Sequence, residues 1–282
     1  SDLPGIMATR SISNARDRLV TILIAPMMTC SARLPVYALL ISAFIPEQKI
    51  WAGIDLQGLV LFLLYLAGIL GAMAVAWVLK RFASEQFRTN ALMMELPSYH
   101  MPRIGNLAIS LWQRAEIFLR RVGGIILIMT VGLWALSSFP LPPEGATASA
   151  IQYSFAGVLG QALAHLFSPI GFNWQISIAL VPGMAAREVV VSSLATVYAL
   201  SSSSADAAEA LVPLISGGWS MATALSLLAW FVFAPQCLST IAAVKRETGG
   251  WKIPVIMLSY LFGLAYIASF ITYRTAIFFG LG

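Results

Sequence analysis

The sequence predicts an all-α polytopic membrane protein with about five crossings plus a re-entrant or broken helical hairpin. Three observations carry this expectation. Of the 282 residues, 59% are hydrophobic and only 10% charged, and the mean hydropathy is +0.83, a balance foreign to a soluble domain. Uncharged apolar runs long enough to cross a bilayer recur along the chain. Lysine and arginine are distributed unevenly among the connecting loops, which sets an orientation. The formal charge of +5 therefore reports topology and implies no nucleic acid. The two cysteines, Cys30 and Cys237, lie inside apolar runs without CxxC or zinc-ligand spacing, so neither a disulfide framework nor a structural zinc site is supported.

Residues 1–18 are polar, carry Arg10, Arg16 and Arg18, and read as the interior of a longer protein. The first apolar run, 19–45, is interrupted at its centre. Pro26 and Pro35 each remove a backbone donor, and Cys30, Ser31 and Arg33 lie between them. An arginine near the bilayer centre costs about 2.5–3.5 kcal/mol on insertion scales, so it marks a partner, a cavity or a pathway. The pattern predicts a broken helix lining a transport site. A Pro-kinked helix whose arginine snorkels to one interface is the alternative. A polar turn follows over 46–55, and 56–79 is an uninterrupted helix closed by Lys80 and Arg81.

From 80 to 121 the chain is basic, which marks a cytoplasmic loop, and 104–121 has the spacing of an amphipathic surface helix. The run 122–139 has about the minimum length for a crossing. Residues 141–173 contain no lysine or arginine, as expected outside, with 151–167 lying along the interface. The second interrupted run, 174–200, holds Pro182-Gly183 and then Arg187 and Glu188. Because 201–218 also lacks lysine and arginine, both flanks fall outside, and the consistent geometry is a re-entrant hairpin. A single crossing is the alternative, and it would carry Lys245, Arg246 and Lys252 outside. The third interrupted run, 219–244, is broken at Pro235, followed by Gln236 and Cys237, and ends at Lys245-Arg246. The last helix, 253–279, returns outward.

Paired Pro-interrupted segments point to a site at the bilayer midplane. Pro26, Arg33 and Pro35 in the first segment, Pro182, Gly183 and Arg187 in the second, and Pro235 in the third form the expected frame of such a site. Thiolates suit borderline first-row divalent ions, and Ser31, Glu188 and freed carbonyls add harder oxygen. An incomplete, mixed set of Cys30, Cys237, Ser31 and Glu188 fits transient coordination, since a permeating ion must also leave. Each cysteine also reads as a small buried apolar residue, and Glu188 as an ion-pair partner of Arg187. No nucleophile–base pair or catalytic carboxylate pair stands out, so an enzyme is not expected.

The stretches IMATR, RDRLVTILIAPMMTCSARLPVYALL, MELPSYHMP, GMAAREVVVSSLATVY and APQCLSTIAAVKRETGGW, in this order, closely resemble the membrane domain of the ferrous iron transport protein B family, FeoB. The two interrupted runs resemble that family's paired gate motifs, which are distantly similar to segments of nucleoside transporters. The resemblance implies one transport domain over 1–282, a multi-pass protein of the bacterial cytoplasmic membrane, with Fe(II) as substrate and no stably bound cofactor. It also implies control by a GTP-binding domain, upstream or in trans, which would carry the GTP and magnesium. A small cytoplasmic accessory protein and a homo-oligomer are further implied partners. No GxxxxGK[ST] phosphate loop occurs in these residues. Where many family members carry a further cysteine, this chain reads Ser1-Asp2-Leu3-Pro4-Gly5, so the family's mechanistic cysteines map onto Cys30 and Cys237 alone. A permease for a nucleoside-like solute and a non-transporting scaffold or sensor are the competing functions.

Overall fold

The computed structural model describes residues 5–82, 105–116, 127–140, 153–199 and 215–282, apart from 7, 13, 29, 31, 32, 47, 52, 53, 107, 114, 128–130, 133, 137, 185–188, 216, 236 and 237. Among the described residues the architecture is all-α, with one short hairpin of strands in a connection. The first run divides into α1 (Ala15–Ile24), a 3-10 turn (Ala25–Met27) and α2 (Leu34–Phe44). The expected polar turn contains strands β1 (Lys49–Trp51) and β2 (Ile54–Asp55), paired antiparallel, which return the chain into α3 (Leu56–Phe82). Beyond lie α4 (Phe155–Phe167), α5 (Trp174–Gly183), α6 (Val189–Ala199), α7 (Met221–Phe233), α8 (Leu238–Thr248) and α9 (Lys252–Phe278).

Among the described residues, α3 and α9 are each long and apolar enough to cross a membrane, and a third span is reached if the bent pair of α4 and α5 counts as one. The outward face of α3 shows why: Phe62, Leu63, Ile69, Leu70 and Met73 are all exposed, which suits lipid and not water. The crossing expected over 122–139 falls mostly outside the described residues, as does the loop from 83 to 104. Described residues between 105 and 116 are helical, with Leu111 and Trp112 exposed.

The region read as an interfacial helix has a larger role. Helix α4 and its 3-10 extension (Ser168–Ile170) meet α5 at a bend of 102°. Gly171 makes this bend with φ +80°, a left-handed conformation that favours glycine. Broken backbone among apolar helices needs protein partners for its carbonyls. Ser226 on α7 supplies one, its hydroxyl donating to the Ile170 carbonyl at 2.7 Å, and the Thr223 hydroxyl donates to the Gly171 carbonyl at 3.1 Å. The Ser269 hydroxyl donates to the Ser226 carbonyl at 3.0 Å, and the Ser226 proton is shared with the Ser269 carbonyl at 3.2 Å, joining α7 to α9. The rings of Phe167 and Phe172 pack edge-on against Trp230, with centroids 5.5 and 5.8 Å away. The bend is thus pinned to the α7–α9 pair.

Helices α5 and α6 form a hairpin. A Cβ on Gly183 would lie 2.2 Å from Val190 Cγ2, so the two helices touch beside their connection. Further from it, Ile178 of α5 and Val197 of α6 share a buried cluster with Ala156. Contacts that move outward on both arms are those of antiparallel neighbours, in agreement with the hairpin expected from the two lysine- and arginine-free flanks.

The basic residues gather at one end. Ile22, Ala25 and Met27 pack with Ile241 and Val244 of α8, Met257 of α9, and Ala72 and Val75 of α3. The ends of α3 and α8 and the start of α9 therefore meet the N-terminal segment, bringing Lys80, Arg81, Lys245, Arg246 and Lys252 to the side of Arg10 and Arg18. Positive charge gathered at one end is the pattern expected of a cytoplasmic face. Here Arg10 grips Glu247 through Nε, at 3.0 and 2.9 Å to the two carboxylate oxygens, and through Nη2 at 2.6 Å. The hydrogen bond from Arg10, opposed by burial and assisted by the charges of Arg10, Arg18 and Arg246, holds the Glu247 carboxyl below the ordinary carboxylate range. A carboxyl depressed in the folded state adds stability above its unfolded value, and that stability is lost as pH falls through the folded value. The melting temperature of Glu247→Gln should therefore lie below wild type at pH 7, and the gap should close below about pH 4. Melts in detergent at the two pH values check this.

Candidate functional site

The first break is built by local chemistry. The Asn14 side chain accepts from the Arg16 amide at 3.0 Å and starts α1. Pro26 cannot donate to the ladder, and the chain leaves the 3-10 turn at Met28 in extended backbone. Helix α2 resumes with Pro35 in its first turn, where a missing donor costs nothing. Between them Arg33 is fully buried and reaches back across the break twice. Its backbone amide donates to the Cys30 carbonyl at 3.2 Å, and Nη2 donates to the Pro26 carbonyl at 3.3 Å. Cys30 is half-buried on the loop that these two bonds close. The Tyr260 hydroxyl from α9 donates to the Leu23 carbonyl, which caps the end of α1. This arrangement excludes a snorkelling Arg33.

The second break follows α5. The Asn173 side chain caps that helix by accepting from the Ile176 amide at 2.9 Å, and the buried Pro182 and Gly183 form its last turn. The Met184 amide donates to the Leu180 carbonyl at 3.1 Å, closing the turn. Arg187 and Glu188 lie outside the described residues. The third break follows α7, where the Ala234 amide donates to the Trp230 carbonyl at 2.8 Å and the buried Pro235 ends the helix. Ser31 and Cys237 also lie outside the described residues. Among the described residues no group of three or more His, Cys, Asp or Glu side chains is placed to hold a metal ion.

The structure brings the three broken segments together. One buried cluster contains Val36, Tyr37 and Leu40 of α2, Ala179 and Leu180 of α5, Val190 and Leu194 of α6, and Phe231, Val232 and Ala234 of α7. A second contains the end of α1 with the body of α8. The part of segment one after its break therefore packs on the part of segment three before its break, and the end of α1 shares a second cluster with α8.

Sequence reasoning missed Glu247, Tyr260, Ser226 and Ser193. The first two act on partners more than two hundred positions away, which periodicity does not reveal. Hydroxyls at three-residue spacing, Ser220 at the cap of α7 and Thr223 and Ser226 within it, are the signal that could have pointed to a polar seam there.

Pro-broken helices packed among long apolar helices, with an arginine buried at the first break, define an all-α multi-pass membrane protein. Comparison with known proteins narrows this class. The family model described as ferrous iron transport protein B C terminus matches residues 61–114. The Gate model, described as nucleoside recognition, matches residues 119–251, which contain the second and third breaks. The Fe(2+) transporter FeoB of Leptospira interrogans is 38% identical over 96% of this chain and 41% of its own length. That of Staphylococcus aureus is 39% identical over 97% of this chain and 39% of its own length. A protein of Porphyromonas gingivalis named as a fusion of Fe(2+) transport protein A and Fe(2+) transporter FeoB is 36% identical over 99% of this chain and 37% of its own length. No solved structure matches the chain. The chain belongs to the FeoB family. It spans about two-fifths of the length of these relatives.

Proposed function

We propose that the chain is the permease part of a ferrous iron importer of the bacterial cytoplasmic membrane, and that Fe(II) passes the breaks of its three interrupted segments. The observation that carries this reading is the loop from Pro26 to Arg33. It offers a half-buried thiol, and a buried arginine holds it shut on itself through the Pro26 and Cys30 carbonyls. Cys30 and Cys237 bind partly dehydrated Fe(II) in passing, with Ser31 and Glu188 supplying oxygen. Arg33 and Arg187 hold the frame and do not touch the ion, because like charges repel strongly where water is scarce. The naming of full-length relatives as Fe(2+) transporters supports iron as the cargo. The fused relative supports a small accessory partner. Opening is governed by a GTP-binding domain that these residues do not contain, and this part carries out transport without chemistry.

Iron uptake by the full-length protein tests the ligand roles. The double variant Cys30→Ser, Cys237→Ser, expressed at wild-type level, should lose at least tenfold in uptake, the scale of losing soft ligands from a metal site. Unchanged uptake would sink the assignment. A second reading is favoured by one observation, the match of residues 119–251 to a family model described as nucleoside recognition. Under it, nucleosides should compete with iron uptake. Under the iron reading, they should not.

A further inference from the structure

Ser193 lies on α6, four residues beyond the start of that helix at Val189, so its Cα is about 6 Å along the axis from the second break. With Val190, Leu194 and Val197 it occupies one face, at i, i+3, i+4 and i+7 spacing, and all four residues are buried. Val190 closes the hairpin against Gly183, and Val190 and Leu194 belong to the core shared by α2, α5 and α7. The hydroxyl of Ser193 is therefore held in the junction of the three broken segments. The residue is 1% exposed, and its Oγ has no hydrogen-bond partner.

That condition is unlike the other buried serines. Ser177 donates to the Asn173 carbonyl at 2.9 Å, Ser226 to the Ile170 carbonyl, Ser269 to the Ser226 carbonyl, and Ser154 accepts from the Gly157 amide at 3.2 Å. A serine inside a helix ordinarily satisfies itself on the carbonyl a turn before. Leaving a buried hydroxyl unmet is unfavourable, and alanine would fill the same position with better helix propensity and no unmet group. Packing alone does not account for a serine here.

We propose that Ser193 Oγ is an oxygen contact for the partly hydrated divalent cation as it passes the second break. This rests on the iron-permease reading and extends it to a residue on the far arm of the hairpin. A hydroxyl is a hard, neutral donor that bonds the ion or one of its remaining waters without trapping it, which complements a soft thiol on the first segment.

The test uses the full-length protein in vesicles with an entrapped Fe(II)-sensitive dye, together with thermal melts of the same preparations. Ser193→Ala should raise the half-saturating Fe(II) concentration about fivefold, the scale of one hydrogen bond. Its metal-free melting temperature should equal or exceed that of wild type, since no protein bond is lost. Ser193→Cys, close in size but softer, should restore flux and make it more sensitive to Cd(II). Wild-type flux from Ser193→Ala would overturn the proposal, and so would a metal-free melting temperature several degrees lower, which would expose a structural bond. A Ser193→Cys protein with wild-type Cd(II) sensitivity would also count against it. Failure of folded wild-type protein to pass Fe(II) would instead remove the permease reading itself, and the Ser193 assignment with it.

Discussion

Replacing Arg33 by methionine in the full-length protein is expected to abolish iron uptake and to lower unfolding stability by about 3 kcal/mol. The guanidinium is fully buried and donates to the Pro26 carbonyl, while the backbone of the same residue donates to the Cys30 carbonyl. Methionine retains the apolar stem and the backbone bond but removes every side-chain donor. The Pro26 carbonyl then loses a charged donor in a place where water does not replace it, and the loop that carries Cys30 opens. Lysine restores one donor on a flexible stem without the planar fork, so Arg33→Lys should recover part of the stability and little of the uptake. Melts in detergent and uptake in cells at matched expression read the two effects separately. Full uptake by the methionine variant would show that the frame does not depend on Arg33.

A comparable loss is expected from Gly171→Val. At φ +80° a β-branched residue is strained, and the new Cβ would lie 2.1 Å from Tyr273 Cε2, inside any tolerable contact. Either the ring or the bend must move, and the bend is held by Thr223 and Ser226. Strain and overpacking together should cost about 3 kcal/mol or more, seen as a lower melting temperature and faster proteolysis between α4 and α5. Thr223→Val, which removes one hydroxyl bond from the same bend, should cost only about 1 kcal/mol. A loss from Gly171→Val no larger than about 1 kcal/mol would mean that the bend tolerates the left-handed valine.

The breaks were readable because proline acts locally. Pro26, Pro182 and Pro235 each end a helix within a few residues of where the sequence puts the interruption, since a missing donor and a ring clash need no tertiary context. The hairpin of α5 and α6 was readable for another reason. The absence of lysine and arginine on both flanks constrains which side each end can occupy. The 102° bend at Gly171 was not readable. Residues 151–167 have the composition of an interfacial helix, and nothing local distinguishes that from a helix folded back on α5 by hydroxyls more than fifty positions away.

The candidate site divides in the same way. The sequence by itself determined the residue types available at the breaks, the membrane class and the family, because composition and spacing are properties of the chain alone. Only the tertiary structure decided that the three broken segments share one core, and that Arg33 turns inward to Pro26 and away from solvent. It alone shows that Ser193 keeps a buried hydroxyl unmet. Each of these depends on which distant backbone groups are brought near, and burial without water is what makes an unmet donor or carbonyl costly enough to matter.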